Sequence, residues 1–254
     1  MKAPIKIFHH SFTWKSGEHD IMKEQVGMME DSGLFDASEV NIMMHFEESE
    51  FEWLRERWSG CNNVNYHLFD ESYRQWCEAT TILSIQEFCH STTDEYYILY
   101  VMPKGITHNA RSEKDDLEQV NWRYYLNYWN ILKWKDCVEK LDEGYDLVGA
   151  GYIWPHPGHY HSINGRPHNP IFAGNMWWGK ASYFRRCVRL KPPSEVGYRP
   201  QVSACDHHRY DWEFWHGTGD PNTYDLNPSS DPNNPGAQDW RWTFDPKTYN
   251  KDYK

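Results

Sequence analysis

Two neighbouring indoles, an amide and two glycines stand together in Ile171-Phe172-Ala173-Gly174-Asn175-Met176-Trp177-Trp178-Gly179. An indole offers a flat apolar face and one N–H donor, and an amide both donates and accepts. Gly174 allows backbone to approach a ligand closely. Such parts can hold a sugar, and they read equally as a core tryptophan pair beside a turn. Lys104, between Pro103 and Gly105, closes the most apolar segment of the chain. An ammonium there can neutralise a diphosphate without a metal, or it can snorkel from a strand end. In Arg209-Tyr210-Asp211-Trp212-Glu213-Phe214-Trp215 apolar and charged residues alternate. Glu213, set among aromatics, is a candidate general base with a raised pKa. Arg209 would orient it or hold a phosphate; a structural Arg–Glu pair is the competing reading.

The histidines are more ambiguous. His156-Pro157-Gly158-His159-Tyr160-His161 carries three imidazoles but has neither HExxH helix spacing nor a paired Cys/His set. A polar loop stacked on sugar or packed on Tyr160 is favoured over a metal-dependent hydrolase built on His156, His159 and His161. Asp206-His207-His208 reads by default as a solvated loop.

These residues must be positioned by elements, which the periodicity supplies. Ile5-Lys6-Ile7-Phe8 reads as a first strand that ends at His9-His10-Ser11. Residues 19–30 read as a helix with Ile21, Gln25, Met28 and Met29 near one face, stopped at Asp31-Ser32-Gly33. Residues 40–46 and 63–69 read as strands, the latter with Val64, Tyr66 and Leu68 on one face. Residues 51–58 read as a short helix and 72–89 as a long one. Residues 96–102 are apolar or aromatic throughout, as expected of a central strand covered on both faces.

Ser112-Glu113-Lys114-Asp115 has capping-box spacing and opens another helix. It carries Leu117, Val120, Tyr124, Tyr128, Ile131, Trp134, Val138 and Leu141 at steps of three and four. Trp122, Tyr125, Trp129 and Leu132 form a second stripe, so this helix is expected to be buried between layers. Gly144 ends it, residues 145–153 read as a strand, and 180–188 can turn helical. Strands alternating with helices imply an α/β fold with a mostly parallel central sheet. Ligands of such sheets gather beyond the carboxyl ends of the strands. His9 and His10, Lys104 and His108, the 156–161 histidines, Asn175 to Trp178 and Arg209 to Trp215 are all expected there.

Composition bounds the partners. A net charge of −11 over 254 residues argues against nucleic acid or an anionic membrane as principal partner. No window is apolar enough for a membrane span, and the N-terminus lacks the apolar run of a signal peptide. The six cysteines are scattered without a CxxC pair, as in a cytoplasmic protein with reduced, mostly buried thiols. Mean hydropathy is −0.88, but 14 Trp, 17 Tyr and 11 Phe supply an aromatic core. From about residue 218 the chain turns to Asp, Asn, Pro and Gly, an irregular tail anchored by Trp240, Trp242 and Phe244.

Taken in order, five segments resemble a group of glycosyltransferase-like proteins of bacteria and large viruses. They are Tyr100-Val101-Met102-Pro103-Lys104-Gly105, Asn121-Trp122-Arg123, Tyr145-Asp146-Leu147-Val148-Gly149, Phe172-Ala173-Gly174-Asn175-Met176-Trp177-Trp178 and Glu213-Phe214-Trp215. The likeness spans about residues 5–217, and the Gly-Asn-x-Trp-Trp box is its most specific part. It implies a GT-A-like (Rossmann-like) domain over residues 1–217, with 218–254 packed on it or trailing from it. It also implies transfer of a sugar from a nucleotide-sugar donor to a hydroxyl of a glycan or other acceptor. By position, Lys104 would face the donor phosphates with Arg123 in support. His9, His10 and Arg209 would lie on the donor side. Gly174, Asn175, Trp177, Trp178 and Trp215 would line the sugar or acceptor pocket, and Glu213 would be the late catalytic carboxylate. Pro103 and the tail depart from the pattern, and no Asp-x-Asp follows a strand to hold Mn²⁺ or Mg²⁺. The expectation is therefore no certain cofactor, with Lys104 supplying the charge. The alternative is a non-catalytic carbohydrate-binding protein that uses its tryptophans as platforms.

Overall fold

A computed structural model of the chain describes residues 2–11, 20–44, 48–69, 78–104, 113–153, 171–192, 212–227 and 244–252. Seven strands make one mixed sheet: β1 (Ile5–Ser11), β2 (Ser38–Met44), β3 (Val64–Leu68), β4 (Tyr97–Val101), β5 (Leu147–Gly149), β8 (Trp177–Lys180) and β9 (Thr223–Asp225). Their order is β3-β2-β1-β4-β8-β5-β9. The β1–β2, β2–β3, β1–β4 and β5–β9 pairs are parallel, and β8 runs antiparallel to both β4 and β5. Among the described residues, two further strands, β6 (Tyr152–Ile153) and β7 (Ile171–Phe172), form a separate antiparallel pair.

Side chains alternate across the sheet and feed two cores. Ile7, Ile42, Leu99, Val148 and Trp178 pack with α1 (Asp20–Asp31), α2 (Glu52–Arg57), α4 (Glu113–Asn127) and α5 (Trp134–Asp142). Phe8, Met43, Tyr100, Leu147 and Trp177 pack on the other side with α3 (Ala79–Ser91) and α6 (Ala181–Phe184). Every residue of β4 is buried, as expected of a strand with helices on both faces. The α/β fold with a mostly parallel, helix-flanked sheet is thus present, and no helix among the described residues is long and apolar enough to cross a membrane.

Local expectations needed four corrections. The helix beginning at Glu113 does not continue unbroken to Leu141. A π-helical segment, Tyr128–Leu132, follows α4, with the Lys133 amide donating to the Tyr128 carbonyl. The wider π turn shifts the register of the faces, and Leu117 and Val120 stand exposed at 59% and 39% while Ile131, Val138 and Leu141 are buried. In α1 the buried face is Met22, Gln25, Val26 and Met29, one residue round from Ile21 and Met28.

The segment 145–153 is two strands, β5 and β6, in different sheets. They part where Asp225 accepts the Gly151 and Tyr152 amides at 3.2 and 3.0 Å. The fourth correction concerns the tail. Residues 223–225 are β9 of the main sheet, and Phe244 is buried in the α4-side core. Trp240, Trp242 and residues 70–77 lie outside the described residues.

Candidate functional site

Strand order reverses at β1, since β2 and β3 extend to one side and β4 lies on the other. A crevice at such a switch point, beyond the carboxyl ends of the strands, is where doubly wound sheets take ligands. His9, His10 and Ser11 come to this edge from β1, and Met102, Pro103 and Lys104 from β4. Because β8 is antiparallel and pairs Trp177 with Tyr100, the Gly174–Asn175 turn before it reaches the same edge.

A polar relay occupies the α1 and α4 side. The His9 Nε2 is 3.1 Å from Gln25 Oε1 and its Nδ1 is 2.9 Å from Ser11 Oγ. Gln25 Nε2 donates to the Met102 carbonyl at 2.9 Å and to Asn127 Oδ1 at 3.0 Å. The Gln25 carbonyl oxygen is therefore the acceptor facing His9, which assigns the imidazole proton to Nε2. Asn127 Nδ2 donates to Glu24 at 3.0 Å, and Glu24 pairs with Arg123 Nε at 3.3 Å. Burial lowers the His9 pKa to about 4, outweighing the Gln25 hydrogen bond that would raise it. The ring is thus neutral at pH 7 and adds no positive charge to the edge.

Among the described residues, Lys104 brings an ammonium to this edge. Its amide donates to the Met102 carbonyl at 2.9 Å, a tight turn after β4, and that same carbonyl accepts from Gln25. Its Nζ lies 3.9 Å from the Trp122 ring centroid. Trp122 in turn borders the Gly174 turn. A Cβ on Gly174 would come within 2.6 Å of Leu126 Cδ1 and 3.1 Å of Trp122 Nε1, at a φ of +88° that L side chains rarely adopt. Gly174→Ala is therefore expected to cost on the order of 2 kcal/mol from the left-handed backbone and overpacking together. Urea denaturation measures it, and an unchanged midpoint would contradict the contact.

The paired indoles do not form one cradle. Neighbours on a strand point to opposite faces, and Trp177 lies in the α3-side core while Trp178 lies in the α4-side core. Both are 0% exposed. Trp178 Nε1 donates to the Asn130 carbonyl at 2.9 Å, beside the π segment. Trp177 Nε1 donates to Asn175 Oδ1 at 2.9 Å, and Asn175 Nδ2 donates to Glu78 Oε2 at 2.9 Å. A sugar pocket lined by both indoles, as the resemblance implies, is therefore corrected: the sheet separates Trp122, Lys104 and Trp178 from Trp177. Trp215, also 0% exposed, stacks on Phe184 at 5.2 Å and donates to the Val188 carbonyl at 2.9 Å.

His10 belongs with Trp177, on the α3 side, where its Nδ1 meets Thr81 Oγ1 at 2.9 Å. Glu213 is half-buried between the buried Trp212 and Phe214 of the same core. The turn that carries it is fixed by His216, whose Nε2 accepts the Phe172 amide at 3.1 Å and whose ring stacks on Trp177 at 5.3 Å. Burial lowers the His216 pKa to about 3. Arg209, His108 and the His156, His159 and His161 group lie outside the described residues. Among the described residues no three His, Cys, Asp or Glu side chains are grouped to hold a metal ion.

Glu24, Asn127 and Glu78 went unread as site residues. Glu78 sat inside an expected helix where acids usually face water, but it is 3% exposed just before α3. Gln25 carried a signal, being an amide on an otherwise apolar helix face.

A family model described as "Domain of unknown function (DUF8361)" matches residues 7–204. No curated protein matches the chain.

Proposed function

The chain belongs to that family, and from its site we propose that it is a glycosyltransferase, moving a sugar from a nucleotide-sugar donor to a hydroxyl of a glycan or other acceptor. One observation carries the reading. The β1–β4 switch point, the place where such sheets take nucleotides, carries the Lys104 ammonium above a buried, hydrogen-bonded polar relay. The strand order is compatible with the GT-A-like core that the sequence resemblance implies.

Under this reading Lys104 neutralises the donor diphosphate and the nucleoside diphosphate that departs. Neutral His9, with Gln25 and Ser11, is fully buried and forms the packed base of a nucleotide-side wall, held together by hydrogen bonds within the chain rather than by charge. Arg123, engaged by Glu24, supports that wall. Glu213 takes the proton of the acceptor hydroxyl; the oxygen attacks the anomeric carbon, and the bond to the diphosphate breaks with its electron pair going to phosphate. Asn175 acts through Glu78 and Trp177 as a clamp on the turn. The platform reading has less support, since Trp177, Trp178 and Trp215 present no exposed ring face.

The test is incubation of purified protein with a panel of nucleotide sugars, with and without Mn²⁺, following nucleotide release. Lys104→Ala is expected to weaken donor binding about tenfold. Glu213→Gln is expected to spare binding and lower turnover on the order of a hundredfold. Folded protein that neither binds nor turns over any donor would overturn the proposal, and the reverse pattern in the two variants would overturn the assigned roles.

A further inference from the structure

We infer that Trp122 is the positioning residue for Lys104, and that the C-terminal segment 244–252 tightens diphosphate binding by holding Trp122 in place. The inference rests on the donor-site reading above and names what regulates that site. A lysine side chain has four rotatable bonds, and an ammonium at a strand tip samples many positions unless something fixes it. Here the Trp122 ring does so, with Nζ 3.9 Å from its centroid, the geometry in which the negative ring face attracts a cation.

Trp122 is itself gripped by parts distant in sequence. The Gly174 turn borders its Nε1 edge. Phe244 stacks parallel to it, centroids 5.7 Å apart and planes 4° apart. Phe244 also meets Tyr125 at 4.8 Å and is only 4% exposed. The segment is fastened further along. Asp245 accepts the Lys247 amide at 3.0 Å and so caps the helical turn Pro246–Tyr249, with proline at its start. Tyr249 packs on Tyr125 and Tyr128 at 5.2 and 5.1 Å, and Asn250 Nδ2 donates to Tyr124 Oη at 2.9 Å. Residues 244–252 thus form a bracket along α4 whose leading aromatic presses on the platform under the cation. The bracket lies beyond residues 7–204, the part of the chain the family model matches.

Calorimetric titration of the full chain with UDP and GDP tests this. Trp122→Leu keeps an apolar side chain but removes the π face, and Phe244→Ala removes the brace. Each is expected to weaken binding about fivefold. Trp122→Phe restores a ring face and is expected to recover most of the loss. In a double-mutant cycle Phe244→Ala adds nothing once Lys104→Ala is present, because both act through one ammonium. Additive losses, or Trp122→Phe as weak as Trp122→Leu, would overturn the inference. Should Phe244→Ala fail to fold, Phe244→Leu is expected to fold and show the same loss. If the parent protein binds neither nucleotide, the donor-site reading fails, and a ligand-free measurement then decides the inference alone. The Lys104 side-chain protons are expected at ring-shifted NMR positions that vanish in Trp122→Leu and diminish in Phe244→Leu. No change in the second variant would sink the brace.

Discussion

Asn175→Asp is expected to destabilise the protein by about 3 kcal/mol at pH 8 and by clearly less at pH 5. The amide now donates to Glu78 Oε2 at 2.9 Å, and both residues are 3% exposed. Replacing the donor with a carboxylate sets two acceptors against one another where water cannot intervene. One of them must take a proton, so the introduced carboxyl has a folded-state pKa above its unfolded value of about 3.9. A group of that kind supports the fold below its unfolded pKa and loses that support as pH rises through the folded pKa. The deficit relative to the parent therefore grows with pH, as urea denaturation at the two values will show. Equal deficits would mean that Glu78 does not face the substituted side chain. Normal stability at pH 8 would return Asn175 to the ligand, as a residue that contacts sugar instead of clamping the turn.

Much of the fold was readable because its strands bury different numbers of faces. In β4 every residue is covered, and the unbroken run Tyr97–Val101 announced a central strand. β3, at the sheet edge, buries no residue fully, and Val64 and Tyr66 are half-buried between the exposed Asn65 and His67. What stayed hidden depends on pairing between distant segments. β8 is four residues long and enters between β4 and β5, and β9 is three residues among prolines and asparagines. Neither has a periodicity long enough to be seen. The π segment escaped for another reason: it leaves apolar residues at steps of three and four on both sides while changing the face they occupy.

The site divides along the same line. Residues at strand ends were legible from position alone, and Lys104, His9 and His10 lie at the expected edge. The two-residue period also contained the error about the indoles. Once residues 177–180 are a strand, Trp177 and Trp178 must part to opposite faces. The partners of these residues were not legible. Asn175 and Glu78 are 97 positions apart, and Gln25 and Asn127 are 102 apart. Nothing local in either segment selects the other; the sheet brings them together.

Acidification is expected to remove the largest share of stability, through His9 and His216. Both rings are fully buried and neutral, with pKa values lowered to about 4 and about 3 chiefly by burial. In the unfolded chain each titrates near 6.5. Folded-state values below the unfolded one mean that the unfolded state binds more protons between them. The contribution is present above about pH 6.5 and is lost as pH falls towards each folded pKa. By pH 4 each histidine has withdrawn on the order of 3 kcal/mol, a large part of the stability of a typical domain. The two rings resist the proton for different reasons. His216 Nε2 already accepts the Phe172 amide, so a proton there would set two donors against one another, whereas His9 has Ser11 Oγ beside Nδ1 and is kept neutral by its burial alone. Unfolding free energy should therefore fall between pH 6 and 4.5 with a slope of about 2.4 kcal/mol per pH unit, just under the ~2.7 kcal/mol limit for two protons. His216→Gln keeps an acceptor for the Phe172 amide and should halve that slope while lowering stability at pH 7. A parent slope near zero across this range would show that the rings titrate normally, and the burial-lowered pKa values of His9 and His216 would have to be abandoned.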